Sequence, residues 1–294
     1  MSVQITENMV QQYGANFRVL YQQMTARTAP FCQMEEGIVG QSKSIERVGS
    51  IEAYDITSRH ADTKYVEVPH SRRWLDLQDK GAAELVDELD KIKMLADPTS
   101  VYPKLVVAGL NRAKDDIVLT ASRGNARSNG GLVALPAAQK IAVSATGLTL
   151  AKLLTAKEIL DAAEADDELD MDGQSTSIQR PIFVTARMLT QLYGTTEIKS
   201  IDYNTVKALA QGALDTFLGF KFIRTERLFK DATATGGYCM TWAKGCMALG
   251  IGMDIRTGID ILPGKNYSAQ VYGRMSIGAT RLEDEGVVEI ACLL

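Results

Sequence analysis

Residues 101–124 read VYPKLVVAGLNRAKDDIVLTASRG, and the apolar pattern predicts a long helix over 103–121. The apolar residues recur at spacings of three and four, which places them on one helix face: Val106, Leu110, Ala113 and Ile117. Pro103 suits the first turn, and Gly124 suits the position just past the end. At about 1.5 Å per residue, such a helix would be roughly 30 Å long.

The opposite face of this helix is polar, so we expect it to lie in water. It carries Lys104, Asn111, Arg112, Lys114, Asp115 and Asp116. A helix that is apolar on one side and charged on the other is typical of a structural support. This helix by itself therefore indicates no function, and the segments before and after it must be considered.

The composition is that of an ordinary soluble protein. The chain has 294 residues, of which 46% are hydrophobic and 23% charged, and its net charge is −4. That charge argues against nucleic-acid binding driven by electrostatics. No apolar run approaches the roughly 18 residues of a membrane helix. The first ten residues lack a secretory signal, which predicts folding in a cytoplasm.

The four cysteines have no CxxC spacing. They are Cys32, Cys239, Cys246 and Cys292. Buried free thiols are the expectation for a cytoplasmic chain. A bridge between neighbouring subunits stays open as an alternative.

Residues 41–80 predict a long, charged hairpin. The stretches IEAYDIT and KYVEV alternate in polarity and read as two strands joined near residues 58–62. The segment contains seven positive and seven negative side chains, so its charge is balanced. A two-stranded ribbon is marginally stable alone, and balanced charge suits a neighbouring surface. The alternative is an ordinary solvated hairpin. Residues 1–40 are mostly polar and also need a surface, either on this chain or on another copy.

The remaining segments predict alternating helices and strands. The predicted helices cover 79–95, 149–165, 186–193 and 205–217, with a second candidate start for 149–165 at the capping box of Thr155 and Glu158. The predicted strands cover 181–185, 220–224, 267–278 and 287–292. Residues 124–131 read as a loop, and 237–254 as a strand followed by a tightly packed helix. Glu283 to Gly286 read as an acidic turn.

The sequence contains no recognisable catalytic motif. The only histidines, His60 and His70, both fall in the predicted ribbon. No GxSxG, HExxH, Cys/His cluster or nucleotide loop is present. Residues 168–179 imitate a calcium loop, but position 12 is Gln179 instead of a glutamate. We therefore predict no cofactor, no metal and no catalytic site. An enzyme that uses carboxylates stays a remote alternative.

The order of these elements resembles that of the major capsid proteins of tailed bacteriophages with the Hong Kong 97-type fold. The resemblance spans about residues 40–292. Three stretches carry it: VVAGLNRAKDDIVLTASRG, then GLTLAKLLTAKEILDAA leading through RPIFVTARMLTQLYG, and ALAQGALDTFLGFKFIRTERL. None of them is a catalytic signature, and the resemblance depends on their order and spacing.

The resemblance implies an α+β capsid fold with four named parts. Residues 1–40 would be the N-arm, and 41–78 an extended E-loop that reaches over an adjacent subunit. Residues 79–148 would be the P-domain, including a spine helix over 103–123. Residues 149–260 would be mainly the A-domain, and 261–294 would close the sheets of both domains.

The resemblance also implies inter-subunit contacts through the charged residues of the E-loop. The candidates are Arg47, Glu52, Asp55, Arg59, Lys64, Glu67, Arg72 and Arg73. Cross-linking between subunits occurs in some relatives, but no residue here indicates it.

The implied function is a structural subunit that self-assembles through hexamers and pentamers into an icosahedral shell around phage DNA. Its location would be the virion, with assembly in the host cytoplasm and no membrane. Only about 40 residues precede the E-loop, and the chain begins at Met1. We therefore expect a separate scaffolding protein, no removed N-terminal segment, a portal partner and packaged double-stranded DNA. An encapsulin-like compartment with a protein cargo is the alternative.

Overall fold

The computed structural model describes residues 20–59, 62–87, 101–144, 146–165, 180–194, 216–231 and 235–294. The first 19 residues of the predicted N-arm, the calcium-like loop and residues 205–215 of a predicted helix lie outside the described residues. Within them the chain forms helices α1 (Tyr102–Arg123), α2 (Leu150–Ala162) and α3 (Ala186–Gly194).

Helix α1 confirms the prediction from the apolar pattern. Val106, Leu110 and Ile117 are all buried. Gly273 fits closely against the first part of this stripe, since a Cβ there would lie 2.5 Å from Val106 Cγ1. The prediction of a wholly wet opposite face is wrong, because Lys114 and Asp115 are buried.

Helix α2 begins at the first of the two predicted starts. Thr149 is the N-cap, and its side chain accepts a hydrogen bond from the backbone N–H of Lys152 at 3.5 Å. Leu153 and Leu160 are buried, as the pattern predicts. The capping box of Thr155 and Glu158 therefore lies inside the helix.

A six-stranded sheet contains most of the strands that the sequence predicts. Across the sheet the strands are β7 (Lys140–Ile141), β14 (Val287–Leu293), β11 (Gly236–Trp242), β8 (Arg180–Val184), β10 (Phe220–Arg224) and β9 (Thr216–Phe217). Strand β8 is parallel to β10 and antiparallel to β11. Thr216 and Phe217 are a strand instead of a helix end, because Leu218 and Gly219 both take positive φ and turn the chain back.

A four-stranded sheet corrects two helix predictions. Its strands in order are β1 (Gln33–Glu36), β12 (Met247–Leu262), β13 (Ser268–Arg281) and β4 (Gln78–Val86). The predicted helix over 79–95 is wrong for its described part, which is strand β4. Residues 247–254 belong to β12 and not to a packed helix. Long-range pairing outweighs local helix preference in both segments.

The small residues of β12 permit close approach of side chains from other strands. A Cβ on Gly250 would lie 2.4 Å from Leu75 and 2.6 Å from Ile38. The sequence predicts that these small residues allow close packing of a helix. In the structure they allow close packing of a strand. Ile38, Leu75, Ala248 and Leu282 form one hydrophobic cluster at this point.

The third sheet contains the root of the predicted ribbon. Its strands in order are β2 (Ser42–Val48), β3 (His70–Asp76), β5 (Ala126–Ser128) and β6 (Gly131–Val133). The loop predicted at 124–131 is instead a hairpin with Asn129 and Gly130 at its turn. The predicted strand positions in the ribbon are also wrong, because pairing occupies its two ends and not IEAYDIT and KYVEV.

The chain divides into two compact units. One comprises described residues within 1–26, 79–113 and 253–276, and the other comprises 27–78, 114–252 and 277–294. In the larger unit, the ring of Phe183 stacks on Trp242 at 4.6 Å between centroids. Phe31 meets the same Phe183 ring edge-on at 6.4 Å. Residues near the N-terminus are thus part of this core.

Candidate assembly surfaces

The ribbon has a paired root formed by strands β2 and β3. Their antiparallel register runs from Ser42 opposite Asp76 to Val48 opposite His70. One further hydrogen bond, from the N–H of Gly49 to the carbonyl of Pro69 at 2.9 Å, extends the pairing. This root fixes where the two limbs of the ribbon leave the body of the unit.

The ribbon tip, residues 50–59 and 62–69, carries apolar side chains in full contact with solvent. Nearly all of its described residues are exposed. Tyr65 is 92% exposed and Ile56 81%, while Ile51, Tyr54 and Val66 are also exposed. Clusters of exposed large apolar residues mark interaction sites more often than solitary ones do. The tip is therefore the strongest candidate for a contact surface among the described residues.

Five of the predicted contact residues lie on the tip. Glu52, Asp55, Arg59 and Glu67 are exposed, and no ion pair joins them to the described part of the chain. Lys64 differs, because its Nζ lies 5.8 Å from the centre of the Tyr54 ring and its N–H donates to the Tyr54 hydroxyl at 3.3 Å. Residues 54 and 64 thus bring the two limbs together.

The other three predicted contact residues are engaged within the root or its own unit. Arg72 pairs with Glu46 at 2.5 Å across the root. Arg47 donates to Ser71 Oγ at 3.1 Å and to the carbonyl of Leu282. Arg73 is only 3% exposed and pairs with Asp284. We therefore leave Arg73 out of the contact surface.

Asp284 forms two ion pairs that the sequence analysis does not predict. The acidic turn from Glu283 to Gly286 predicts solvated carboxylates, but the Asp284 side chain is only 14% exposed. It accepts from Arg73 Nη2 at 2.5 Å and from Arg281 Nε at 2.5 Å. No local pattern indicates the pair with Arg73, which is 211 residues away, whereas Arg281 is only three residues before Asp284.

Residues 22–24 lie along helix α1. The Arg112 guanidinium donates to the side-chain oxygen of Gln22 at 2.6 Å and to the carbonyl of Gln23 at 3.2 Å. The Asn111 amide donates to the carbonyl of Met24 at 2.9 Å. This part of the predicted arm therefore lies on its own chain, which is the first of the two alternatives.

Asp115 anchors the next part of the arm. Its buried carboxylate accepts from the backbone N–H groups of Arg27, at 2.9 and 3.1 Å, and of Thr28, at 3.0 Å. The Thr28 hydroxyl also donates to it, at 2.7 Å. Four hydrogen bonds compensate for burying the carboxylate.

Comparison with protein families decides what kind of protein this is. The sequence profile of the phage capsid proteins matches residues 5–294. The chain belongs to the phage capsid protein family. No sequence among the curated proteins matches the capsid protein.

Solved structures with the same fold are phage capsids. The capsid protein aligns with the Ralstonia phage GP4 capsid at a TM-score of 0.74 and 9% identity, covering 97% of this chain and 95% of that one. The alignment with the cyanophage Pam1 capsid has a TM-score of 0.73 and 12% identity, and it covers 98% of this chain and 97% of that one. The alignment with the capsid of Helicobacter pylori bacteriophage KHP30 has a TM-score of 0.70 and 10% identity, and it covers 100% of this chain and 97% of that one. The fold is the Hong Kong 97-type capsid fold, and the chain is a major capsid protein, a structural component of the virion shell.

The four cysteines of the capsid protein are all buried. Burial raises the pKa of the Cys32 thiol to about 12, and the nearby Asp115 carboxylate adds to the increase. A hydrogen bond between two further thiols raises the pKa of Cys239 and lowers that of Cys292. The burial agrees with the expectation from the sequence.

Lys152 of the capsid protein holds three segments together. Its ammonium donates to the carbonyls of Val143 at 2.7 Å, Thr146 at 3.0 Å and Ala291 at 2.8 Å. Burial lowers the pKa of Lys152, and the neighbouring Cys292 and Cys239 raise it in part. Three donors meet three acceptors, so the buried ammonium is fully bonded.

Neither a metal-ligand group nor a membrane-spanning helix is found among the described residues of the capsid protein. Over these residues, no three His, Cys, Asp or Glu side chains are grouped so that they could hold a metal ion. None of the described helices is long and apolar enough to cross a membrane.

Proposed function

We propose that this capsid protein builds an icosahedral shell around phage double-stranded DNA, with its ribbon as an E-loop lying on a neighbouring subunit. The observation that carries the proposal is the exposed apolar surface of the ribbon tip. Ile56 and Tyr65 are almost fully exposed on a segment that has no strand pairing of its own.

Burial of the tip on a neighbour would supply a driving force for assembly. Fully burying one large apolar side chain contributes about 1.5–3 kcal/mol. Several such side chains on each tip give a modest interface, and a closed lattice repeats it for every subunit. Weak contacts repeated in this way support a stable shell while single contacts stay reversible.

The charges of the tip suit the rim of such an interface. Glu52, Asp55 and Glu67 are negative, whereas Arg59 and Lys64 are positive. Mixed signs favour a definite orientation on the neighbour more than they add affinity. Since salt screens exposed pairs, we expect the shell to loosen at high ionic strength. Light scattering across a salt series measures this, and scattering independent of salt would remove the charges from the proposal.

We assign the remaining parts by the same fold. Residues 1–40 are the N-arm and 41–78 the E-loop, with the P-domain over 79–148 and the A-domain mainly over 149–260. Residues 261–294 provide closing strands. The long helix α1, which matches the expected spine helix, supports this assignment.

Membership of the capsid family supports the further partners. We propose hexamers and pentamers of this chain, a scaffolding protein, a portal and DNA held without sequence-specific contacts. We place assembly in the host cytoplasm and assign the protein no catalytic activity.

Replacement of residues 50–68 by a short Gly-Ser turn tests the role of the ribbon. This change keeps the root and its Arg73–Asp284 pair, whereas a deletion of 45–73 would remove both. We expect a folded subunit by circular dichroism that forms no shells by negative-stain electron microscopy. A Gly-Ser replacement of the 129–130 turn, which leaves the tip intact, is the control for loop changes. Normal shells from the tip variant would contradict the proposed role of the ribbon.

A separate measurement tests the cargo. Particles purified from infected cells should contain double-stranded DNA. Particles that contain protein cargo and no nucleic acid would favour an encapsulin-like compartment instead.

A further inference from the structure

The carboxylate of Asp284 is one of the contacts that join the ribbon root to the body of its unit. Asp284 Oδ2 accepts from Arg73 of strand β3, and Asp284 Oδ1 accepts from Arg281 at the end of strand β13. The side chain of Arg73 is 4% exposed and that of Arg281 is fully buried. These ion pairs therefore lie almost entirely out of solvent.

Arg281 extends this connection to two other elements. Its Nη1 donates to the carbonyls of Ser122 at 3.1 Å and Gly124 at 2.6 Å, at the C-terminal end of helix α1. Its Nη2 donates to the carbonyl of Val133 in strand β6 at 3.0 Å. One guanidinium thus holds the helix end, the β5–β6 hairpin and the turn that carries Asp284.

The charge of this cluster makes Asp284 hard to replace. Two buried guanidinium groups share one carboxylate, so loss of Asp284 would leave two like charges without compensation. Among the described residues, the buried Nη1 of Arg73 has no hydrogen-bond partner, and its Nε donates to the carbonyl of Leu282 at 3.4 Å. The charge of Arg73 is therefore balanced by Asp284, while the pairing of β3 with β5 and the packing of Leu75 also hold the root.

A second carboxylate of the same root has a different environment. Asp76 pairs with Arg127 at 2.9 Å, but the two side chains are 48% and 52% exposed. Exposed pairs of this kind contribute little to stability. Asp76 and Asp284 therefore provide a matched comparison of an exposed and a buried carboxylate–arginine pair.

We propose that Asp284 is the positioning residue that fixes the direction in which the ribbon leaves the subunit. The exposed tip then approaches a neighbouring subunit from a defined starting position. This inference rests on the proposed role of the ribbon, but the mechanical part can be measured in the unassembled subunit.

Hydrogen exchange of the full-length chain tests the mechanical part. In the unassembled fraction of Asp284→Asn, the backbone amides of β2 and β3 should exchange about 10-fold faster than in the wild type, since local opening of the root becomes easier. Amides of β11 and β14 should not change. Asp76→Asn, the control, should exchange like the wild type throughout. Equal root exchange in Asp284→Asn and the wild type would overturn the inference.

Assembly provides the second readout. Asp284→Asn should form shells of irregular size by electron microscopy, whereas Asp76→Asn should form uniform ones. If Asp284→Asn does not fold, Arg73→Lys replaces it, because it keeps the charge and loses the Nη2 hydrogen bond to Asp284, and the same two outcomes apply. If the amides of β2 and β3 exchange faster but the shells are uniform, Asp284 stabilises the root without affecting shell geometry, and that part of the inference is refuted. Normal shells from the tip replacement described above would instead refute the proposed function.

Discussion

Trp242 donates its indole N–H to the carbonyl oxygen of Phe31 over 2.9 Å, in the buried core of the larger unit. This hydrogen bond joins residues that are 211 positions apart in the sequence. Because both residues also pack on Phe183, Phe31 of the predicted arm is part of the core of the larger unit. On the ribbon tip, by contrast, Ile56 and Tyr65 are exposed.

Removal of the Asp115 carboxylate should destabilise the subunit strongly. In Asp115→Ala the N–H groups of Arg27 and Thr28 lose a buried acceptor, and we expect the free energy of unfolding to fall by about 2–4 kcal/mol. Urea unfolding of the unassembled subunit measures this. The neighbouring Asp116 is the control, because its pair with Arg227 is exposed by 37–40%. Asp116→Ala should cost less than about 1 kcal/mol. Equal losses in the two variants would contradict the anchoring role of Asp115.

Loss of the Lys152 ammonium should also destabilise the subunit. Lys152→Met keeps the apolar stem but leaves the carbonyls of Val143, Thr146 and Ala291 without this donor, and we expect a loss of about 2–4 kcal/mol. Thermal unfolding measures the change. Lys157→Met on the same helix, a less buried lysine, should stay within about 0.5 kcal/mol of the wild type. A Lys152→Met variant as stable as wild type would show that the three bonds contribute nothing net.

Alkaline pH should weaken the fold through Cys32. Its pKa is raised from the ordinary 9.0 to about 12 in the folded chain. Below pH 9 the thiol keeps its proton in both the folded and the unfolded state, so it does not make the free energy of unfolding depend on pH. Above pH 9 the unfolded thiol ionises and the folded one does not, so stability falls by about 1.4 kcal/mol per pH unit until pH 12.

Cys32→Ser isolates this contribution. Serine does not titrate in this range, so the difference in unfolding free energy between variant and wild type should be constant from pH 6 to 8. Above pH 9 the difference should change in favour of the variant. Parallel stability curves up to pH 11 would show that Cys32 is not protected from ionisation.

Polar replacement of two tip residues should block assembly without unfolding the subunit. In Ile56→Ser/Tyr65→Ser the subunit stability should change by less than about 0.5 kcal/mol, since both side chains are exposed. The yield of shells, measured by sedimentation, should fall about 10-fold or more, because each contact loses apolar burial. Ile56→Val/Tyr65→Phe keeps the apolar surface and should assemble normally. If the serine variant gives wild-type yields, the tip side chains are not at an interface.

Some features of the fold follow from local pattern alone. The apolar spacing of residues 106–117 predicts helix α1, since a period of 3.6 residues specifies one buried face wherever the helix lies. The strands over 180–184, 220–224 and 287–293 follow from short β-branched and aromatic runs. The charge balance of the ribbon follows from composition, because residues 41–80 contain seven positive and seven negative side chains.

Other features depend on partners far away in the sequence. Strand β4 has a composition that suits a helix, and the start of β12 is predicted to be one, but both pair with β13 in a sheet. Asp284 and Asp115 look like solvated carboxylates, and the arginine and backbone donors that bury them lie up to 211 residues away. Secondary structure with a strong period was therefore decided by the sequence itself. Tertiary structure decided which strands pair and which charged side chains are buried, because the energy of a buried ion pair depends on the groups that surround it.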